Sequence, residues 1–325
     1  MKFTSIPEAY NSFREPLIYS FDTQSTTPTD VEITIKNYHD DSIIGRKKLY
    51  GVTTGEVDIA PYLRWAAQPT LPTTIDKCAV VECGTQMMVY VEANGKQSKV
   101  RNFVAAKADL NSLYTDLNTQ IESRTMTRDE FDLISLFSLP DAVVEVVVEA
   151  FGAQHDSRSI LLDLGGQRTV AVTARSFDFV PDTLRATIFL DGQAVKVIDY
   201  QIKPNLRGAR RLIWVNRHGS PEAYTFPLRK SVLIEAVRKE MGRVWGKEAA
   251  ALERHGELKL LSAYEPQAQV EALAEILNSK KLWLADGAKL RNVTLKRDMV
   301  LAMPCDGMGM VEVDLSAAKE GEVLW

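Results

Sequence analysis

The sequence predicts a mainly β protein of consecutive antiparallel sandwich or barrel-like domains, closed by a C-terminal α+β unit that carries one helix. Two observations predict it. Four dipeptides of hairpin-turn chemistry, Asn94-Gly95, Gly165-Gly166, Asp191-Gly192 and Asp286-Gly287, each stand between two strand-like runs. Two-residue turns join antiparallel neighbours, which argues against a doubly wound parallel sheet. Helical periodicity, in contrast, is confined to a few short segments.

The elements follow in order. Val31 to Lys36 alternates apolar and polar residues at the period of a half-buried strand. Gly55 to Arg64 reads as a short strand run cut by Pro61. Met87 to Ala93 and Gln97 to Ala105 flank Asn94-Gly95 as a hairpin. These runs form a first β domain, 1–105. Ala106 to Ile121 places Leu110, Leu113, Leu117 and Ile121 near one helical face, so 106–128 is expected to be a helical connector. Asp129 to Phe137 is ambiguous. Thr127 and Glu130 fit a capping box, yet Phe131, Leu133, Ser135 and Phe137 also sit at strand spacing. Hairpins about Gly165-Gly166 and Asp191-Gly192 fill a second β domain, 129–204.

The last unit, 205–325, opens with the most aromatic hairpin of the chain. Leu212, Ile213, Trp214 and Val215 lead into a polar turn, Asn216 to Pro221, expected to be exposed, and Tyr224-Thr225-Phe226 returns. Lys230 to Trp245 tolerates helix, but Val232 to Val237 also suits a buried strand. Pro266 then introduces an amphipathic helix, Gln267 to Asn278. Its apolar stripe is Val270, Leu273, Ala274 and Leu277. A hairpin about Asp286-Gly287 begins the closing strands.

Composition narrows the function. The 325 residues are 45% hydrophobic and 25% charged, as in ordinary globular proteins. A net charge of −4 provides no basic field for nucleic acid. No window approaches the roughly 18 apolar residues of a membrane span. Met1 to Pro16 lacks the apolar core of a secretory signal, so synthesis in the cytoplasm is expected. Cys78, Cys83 and Cys305 do not make a disulfide framework and read as reduced structural thiols.

Catalytic and metal constellations do not emerge. His39, His155, His218 and His255 each lie in a polar, turn-like context, far apart in sequence and without metal-ligand spacing. Gly165-Gly166 and the glycines near Asp306 lack the context of a phosphate loop. Asp40-Asp41 and Glu145 with Glu149 are carboxylates without a partner pattern. The expectation is a protein that is not an enzyme and takes no cofactor.

An interface is better supported. Arg207, Arg210 and Arg211, with Arg217, crowd around the aromatic hairpin. Arginine and aromatic residues are enriched at protein interfaces, and guanidinium groups pair carboxylates through two parallel bonds. Arg207, Arg210, Arg211, Trp214, Arg217, Tyr224 and Phe226 are therefore the candidate intersubunit surface. Trp65, Trp214, Trp245, Trp283 and Trp325 offer a rival role as sugar platforms.

Four segments carry a resemblance. The Arg211 to Phe226 hairpin is similar to one in tail-associated structural proteins encoded by phages and prophages of Bacteroides-type bacteria. Glu15 to Phe21 resembles that family's opening strand, and Gly55 to Arg64 a following segment. Leu277 to Leu284 resembles a helix-to-strand passage near the end. The resemblance implies a virion structural protein of the tail. Such a protein would self-assemble into homo-oligomers and dock to other phage tail proteins, with no nucleic acid or membrane partner. The alternative is a β-sandwich carbohydrate-binding or adhesion protein. A third possibility is a glycosidase-like enzyme with two carboxylates brought together by the fold.

Overall fold

The computed structural model describes residues 1–83, 85–108, 110–162, 165–204, 208–243, 246–286, 289–296, 301–305 and 307–317, with the side chains of 229–256, 286, 301–305 and 317 outside that description. Strands dominate the described residues and helices are few and short, so the fold is mainly β, as the turn chemistry predicts.

The first two sheets are built from residues 2–104. One is three-stranded: Lys2–Ser5, Ile18–Asp22 and Thr54–Asp58. The other runs Tyr10–Ser12, Arg101–Val104, Met87–Ala93, Thr29–Asn37 and Ile43–Val52, with Lys96–Gln97 beside Met87–Ala93. Alternation sends Val31, Ile33 and Ile35 inward, where they meet Tyr19, Phe21, Val89, Val91 and Phe103. Asn94 and Gly95 take φ of 42° and 77° between paired strands, the left-handed pair a tight hairpin turn requires. Pro61 does not cut a strand, as expected above. It stands in the first turn of the helix Ala60–Ala66, where a missing N–H costs nothing.

Two more sheets face each other next. A four-stranded sheet orders Tyr114–Asp116, Phe131–Ser138, Gly166–Thr173 and Ala79–Val81. A five-stranded sheet orders Ser123–Thr127, Gln193–Lys203, Pro181–Leu190, Val144–Gly152 and His155–Leu162. Their inner faces share one core, including Ile134, Leu136, Val144, Val146, Val148, Val170, Val172, Leu184, Ile188 and Tyr200. Asp191-Gly192 makes its hairpin, with φ of 50° and 79°.

Two expectations fail here. The 106–128 connector contains no helix among the described residues; it supplies Tyr114–Asp116 and Ser123–Thr127 instead. Leu110 and Leu117 are buried with Val104 and Phe137, while Leu113 is exposed, so the leucines seal a seam rather than one helical face. Gly165-Gly166 does not join a hairpin either. His155–Leu162 and Gly166–Thr173 lie in different sheets, and the glycines sit at the crossing. Both have positive φ, and a Cβ on Gly165 would fall 2.6 Å from the backbone N of Pro140. The glycines answer to crowding, not to a two-residue turn.

The last sheet has nine strands. Its main path runs Pro221–Phe226, Arg210–Val215, Leu282–Asp286, Lys289–Leu295, Met308–Ala317, Gly246–Leu261 and Leu228–Arg243. Asp286 pairs with Lys289, so the strands flanking Asp286-Gly287 do form a hairpin. The segment with two readings, 230–245, is strand through Arg243. The helix after Pro266 spans Gln267–Ala274 and tightens to a 3-10 turn at Glu275–Asn278. That tightening rotates the stripe: Leu273 and Ile276 are buried, and Leu277 is 38% exposed. Leu273 packs with Trp214, Phe226, Leu258, Val311 and Val313.

Candidate functional site

The aromatic hairpin is an internal hub. Arg210–Val215 and Pro221–Phe226 pair in register from Arg210 with Phe226 to Val215 with Pro221. Trp214 and Phe226 are fully buried and Arg211 is 2% exposed, so these three face the interior of the chain and not another subunit. The turn, expected in solvent, is mostly buried as well: Asn216 is 3% exposed and Ser220 0%.

Self-satisfaction makes that burial tolerable. The Asn216 side-chain oxygen accepts from the backbone N–H groups of His218 (2.8 Å) and Ser220 (3.1 Å), and its amide donates to the Leu117 carbonyl (2.8 Å). Gly219 has φ of 71°, and a Cβ there would lie 2.2 Å from that of Ala105. The turn thus plugs into the seam between the first sheets and the strands that follow. Polar turn residues predict exposure only when their hydrogen bonds go to water.

Each side of the hairpin is bonded to a different part of the chain. Glu222, fully buried, accepts from both the backbone N–H and the hydroxyl of Thr119. Burial raises its pKa, and the Thr119 bonds oppose the rise. Gln120 donates to the Ala223 carbonyl (3.1 Å) and accepts from Gln269 (3.0 Å), which ties the C-terminal helix to the same point. Val215 donates to the Ser279 hydroxyl (2.8 Å). Ile213, Val215, Ala223 and Trp283 pack on Phe131, Leu133 and Ala171 across the two sheet systems.

At the other end lies a buried ionic cluster. Asp132, 1% exposed, accepts from Arg124 Nη1 and Arg211 Nη2, each at 2.7 Å, one through each carboxylate oxygen. Arg211 Nη1 donates to Thr225 (2.8 Å), whose hydroxyl donates to Glu130 (2.8 Å). Burial is the largest single influence on the Arg124 pKa and works to lower it; the charge of Asp132, with those of Tyr200 and Glu222 and the hydrogen bond to Asp132, together outweigh it and raise the pKa. Glu130 also accepts from the Thr127 backbone N–H at 2.7 Å. Half of the expected capping box therefore exists, but it closes a turn that enters the strand Phe131–Ser138 rather than a helix.

The remaining candidates are less confined. Arg210 is half-buried and donates to the Ala209 carbonyl. Arg217, 58% exposed at its side chain, pairs with Glu275 at 2.9 Å. Tyr224 is half-buried, donates to Glu265 (2.6 Å) and meets Phe226 edge-on at 5.0 Å. Arg207, Trp245 and Trp325 lie outside the described residues. Trp283 is 4% exposed, whereas Trp65 is 78% exposed.

The carboxylates singled out by sequence have structural partners. Asp41 accepts from the Tyr90 hydroxyl (2.7 Å), Glu145 from Ser159, and Glu149 lies 3.4 Å from His155. Among the described residues, no group of three or more His, Cys, Asp or Glu gathers to hold a metal. No helix among them is long and apolar enough to cross a membrane.

Sequence reasoning missed Arg124, Asp132, Thr119, Glu222 and Gln269, the residues that make the hub polar inside. Their spacing carries no signal, because their partners are 79 to 149 positions apart except for Arg124 and Asp132.

A second feature is a long ribbon. Leu228–Arg243 and Gly246–Leu261 pair over 16 residues each. Only Glu257 to Leu261 gain a third strand, from Met308–Ala317. Beyond the Leu233–Glu257 pair the ribbon is two-stranded among the described residues, and Leu228–Arg243 is the edge of the sheet. The two-stranded part extends over about ten pairs, roughly 34 Å at the antiparallel rise.

No family model matches the chain, and no curated protein matches its sequence.

Proposed function

We propose that the protein is a structural component of a phage or prophage particle, in the tail, that works by assembly and not by bond chemistry. The observation that carries this reading is the two-stranded ribbon. An isolated two-stranded hairpin is marginal in water, and a long free edge invites pairing. A ribbon of this length persists most readily where a neighbour covers it. Strand addition along an edge is a recurrent mode of protein assembly.

Charge fits the same role. Residues 229–256 contain seven Lys or Arg against four Asp or Glu, a net +3 in a chain of net −4. A basic ribbon on an acidic protein complements further copies of that protein or another acidic tail component. The body supplies a rigid mount, because the buried hub joins the sheets at the ribbon's base. The motif resemblance supports the tail assignment, and the β architecture is compatible with it. Homo-oligomer formation on assembly, docking to other tail proteins and residence in the virion tail are parts of this proposal.

The test is direct. Prophage is induced in the strain that carries the gene, particles are banded by density, and the chain is sought by mass spectrometry. The reading expects it at a fixed stoichiometry with the tail proteins. Particles that lack it contradict the assignment. The carbohydrate reading is favoured by one observation, the exposure of Trp65. Glycan binding that is lost in Trp65→Ala would establish it instead.

A further inference from the structure

Beside the ionic cluster lies a cavity of about 130 Å³, lined in part by Pro227 and Ala263, which flank the base of the ribbon. Its inner wall includes Arg124 and Arg211. Both are buried, with side chains 5% and 2% exposed. Each arginine uses part of its guanidinium on Asp132, and each keeps a buried N–H without a hydrogen bond: Nη2 of Arg124 and Nε of Arg211. Buried donors left unmade are costly, and charged ones more so. Two such donors on one small cavity are therefore a specific demand for an acceptor.

The charges of the wall point the same way. Among the described residues, the cations of the lining are Arg124, Arg211 and the exposed Lys203. The carboxylates are Asp132, whose two oxygens are taken by the arginines, and Glu265, which accepts from Tyr224. Burial raises the pKa of Glu265, and the Tyr200 phenol is raised by burial first and by Asp132 second. Among the lining residues described, three cations stand against two carboxylates, and Glu130, 3.9 Å from Arg211 Nη1, lies just outside the lining. Guanidinium N–H donors match the oxygens of a carboxylate or phosphate.

We propose that this cavity binds a small oxyanion, a carboxylate or phosphate group, held by Arg124 Nη2 and Arg211 Nε with Lys203 in the lining. Its position at the base of the ribbon makes the bound group a third element of that junction. The group comes either from a free small ion or from an acidic side chain of a neighbouring protein. This inference stands on the cavity alone and does not require the tail assignment.

The experiment follows the arginine Nε–H resonances of ¹⁵N-labelled full-length protein at constant ionic strength. The titrants are inorganic phosphate, acetate and a short capped peptide with one internal glutamate. A saturable shift of the Arg211 signal with phosphate or acetate supports a free-ion site. A shift with the peptide alone supports capture of a side-chain carboxylate. Lys203→Glu, exposed and so compatible with the fold, is expected to weaken either response roughly tenfold by reversing a charge of the lining. Lys47→Glu, exposed in the first sheets, is expected to leave it unchanged. Absence of a saturable shift with all three titrants overturns the proposal and assigns the cavity to water. So does equal affinity in the Lys203→Glu variant.

Discussion

Asp132→Ala tests the hub most sharply. The carboxylate is 1% exposed and is the shared acceptor of two buried arginines at 2.7 Å. Replacing it removes both bonds and leaves two guanidinium groups buried with less than their complement of acceptors. Breaking a buried ion pair from one side costs about 3–5 kcal/mol, most of it the desolvated charge left behind. At roughly 2 °C per kcal/mol for a large cooperative unit, the melting temperature should fall by about 6–10 °C. Differential scanning calorimetry measures it. The companion variant is Asp132→Ala with Arg211→Met, which removes one stranded charge. It should recover part of the loss, because an apolar replacement is tolerated where an unpaired charge is not. A single-variant loss below about 1 kcal/mol, or a double variant worse than the sum of the singles, refutes the reasoning.

Further expectations concern the turn, the helix and pH. Gly219→Ala should destabilise more than Gly192→Ala in parallel melts. Both have positive φ, but a Cβ at 219 meets Ala105 whereas one at 192 meets open space. Leu273→Ala should cost about 2–5 kcal/mol in a denaturant titration, because Leu273 is fully buried among large apolar neighbours. His218 has its pKa lowered from 6.5 to about 4, first by burial and then by Arg217 and Arg14. A depressed folded-state pKa stabilises above the unfolded value and loses that contribution as pH falls toward the folded one. The melting temperature of the parent should therefore fall relative to that of His218→Gln as pH drops from 6.5 to about 4. A constant difference across that window contradicts the assignment.

The strands were legible because their signal is local. Period two at Val31 to Lys36, the Asn94-Gly95 and Asp191-Gly192 turns, and proline before the Gln267–Ala274 helix are each decided within a few residues. The misreadings arose where a local pattern served a non-local purpose. Leu110 and Leu117 repeat at helical spacing yet fill a seam against Phe137. Gly165-Gly166 has turn chemistry yet marks a crowded passage past Pro140 and Gln86. Thr127 and Glu130 hold each other as a cap would, but a strand follows. Arg211 and Trp214 look like an interface because buried hubs and interfaces use the same residue types. Only the location of Asp132, 79 positions away, distinguishes the two.

The claim that most needs testing is that the ribbon docks and the body mounts it. Residues 234–256 are replaced by a two-residue Asn-Gly turn that joins Leu233 to Glu257, keeping the part that Met308–Ala317 pairs. Melting temperature and incorporation into density-banded particles are measured together. The account predicts a body that melts within a few degrees of the parent and is absent from particles. A truncated chain that folds normally and enters particles at parental stoichiometry contradicts it.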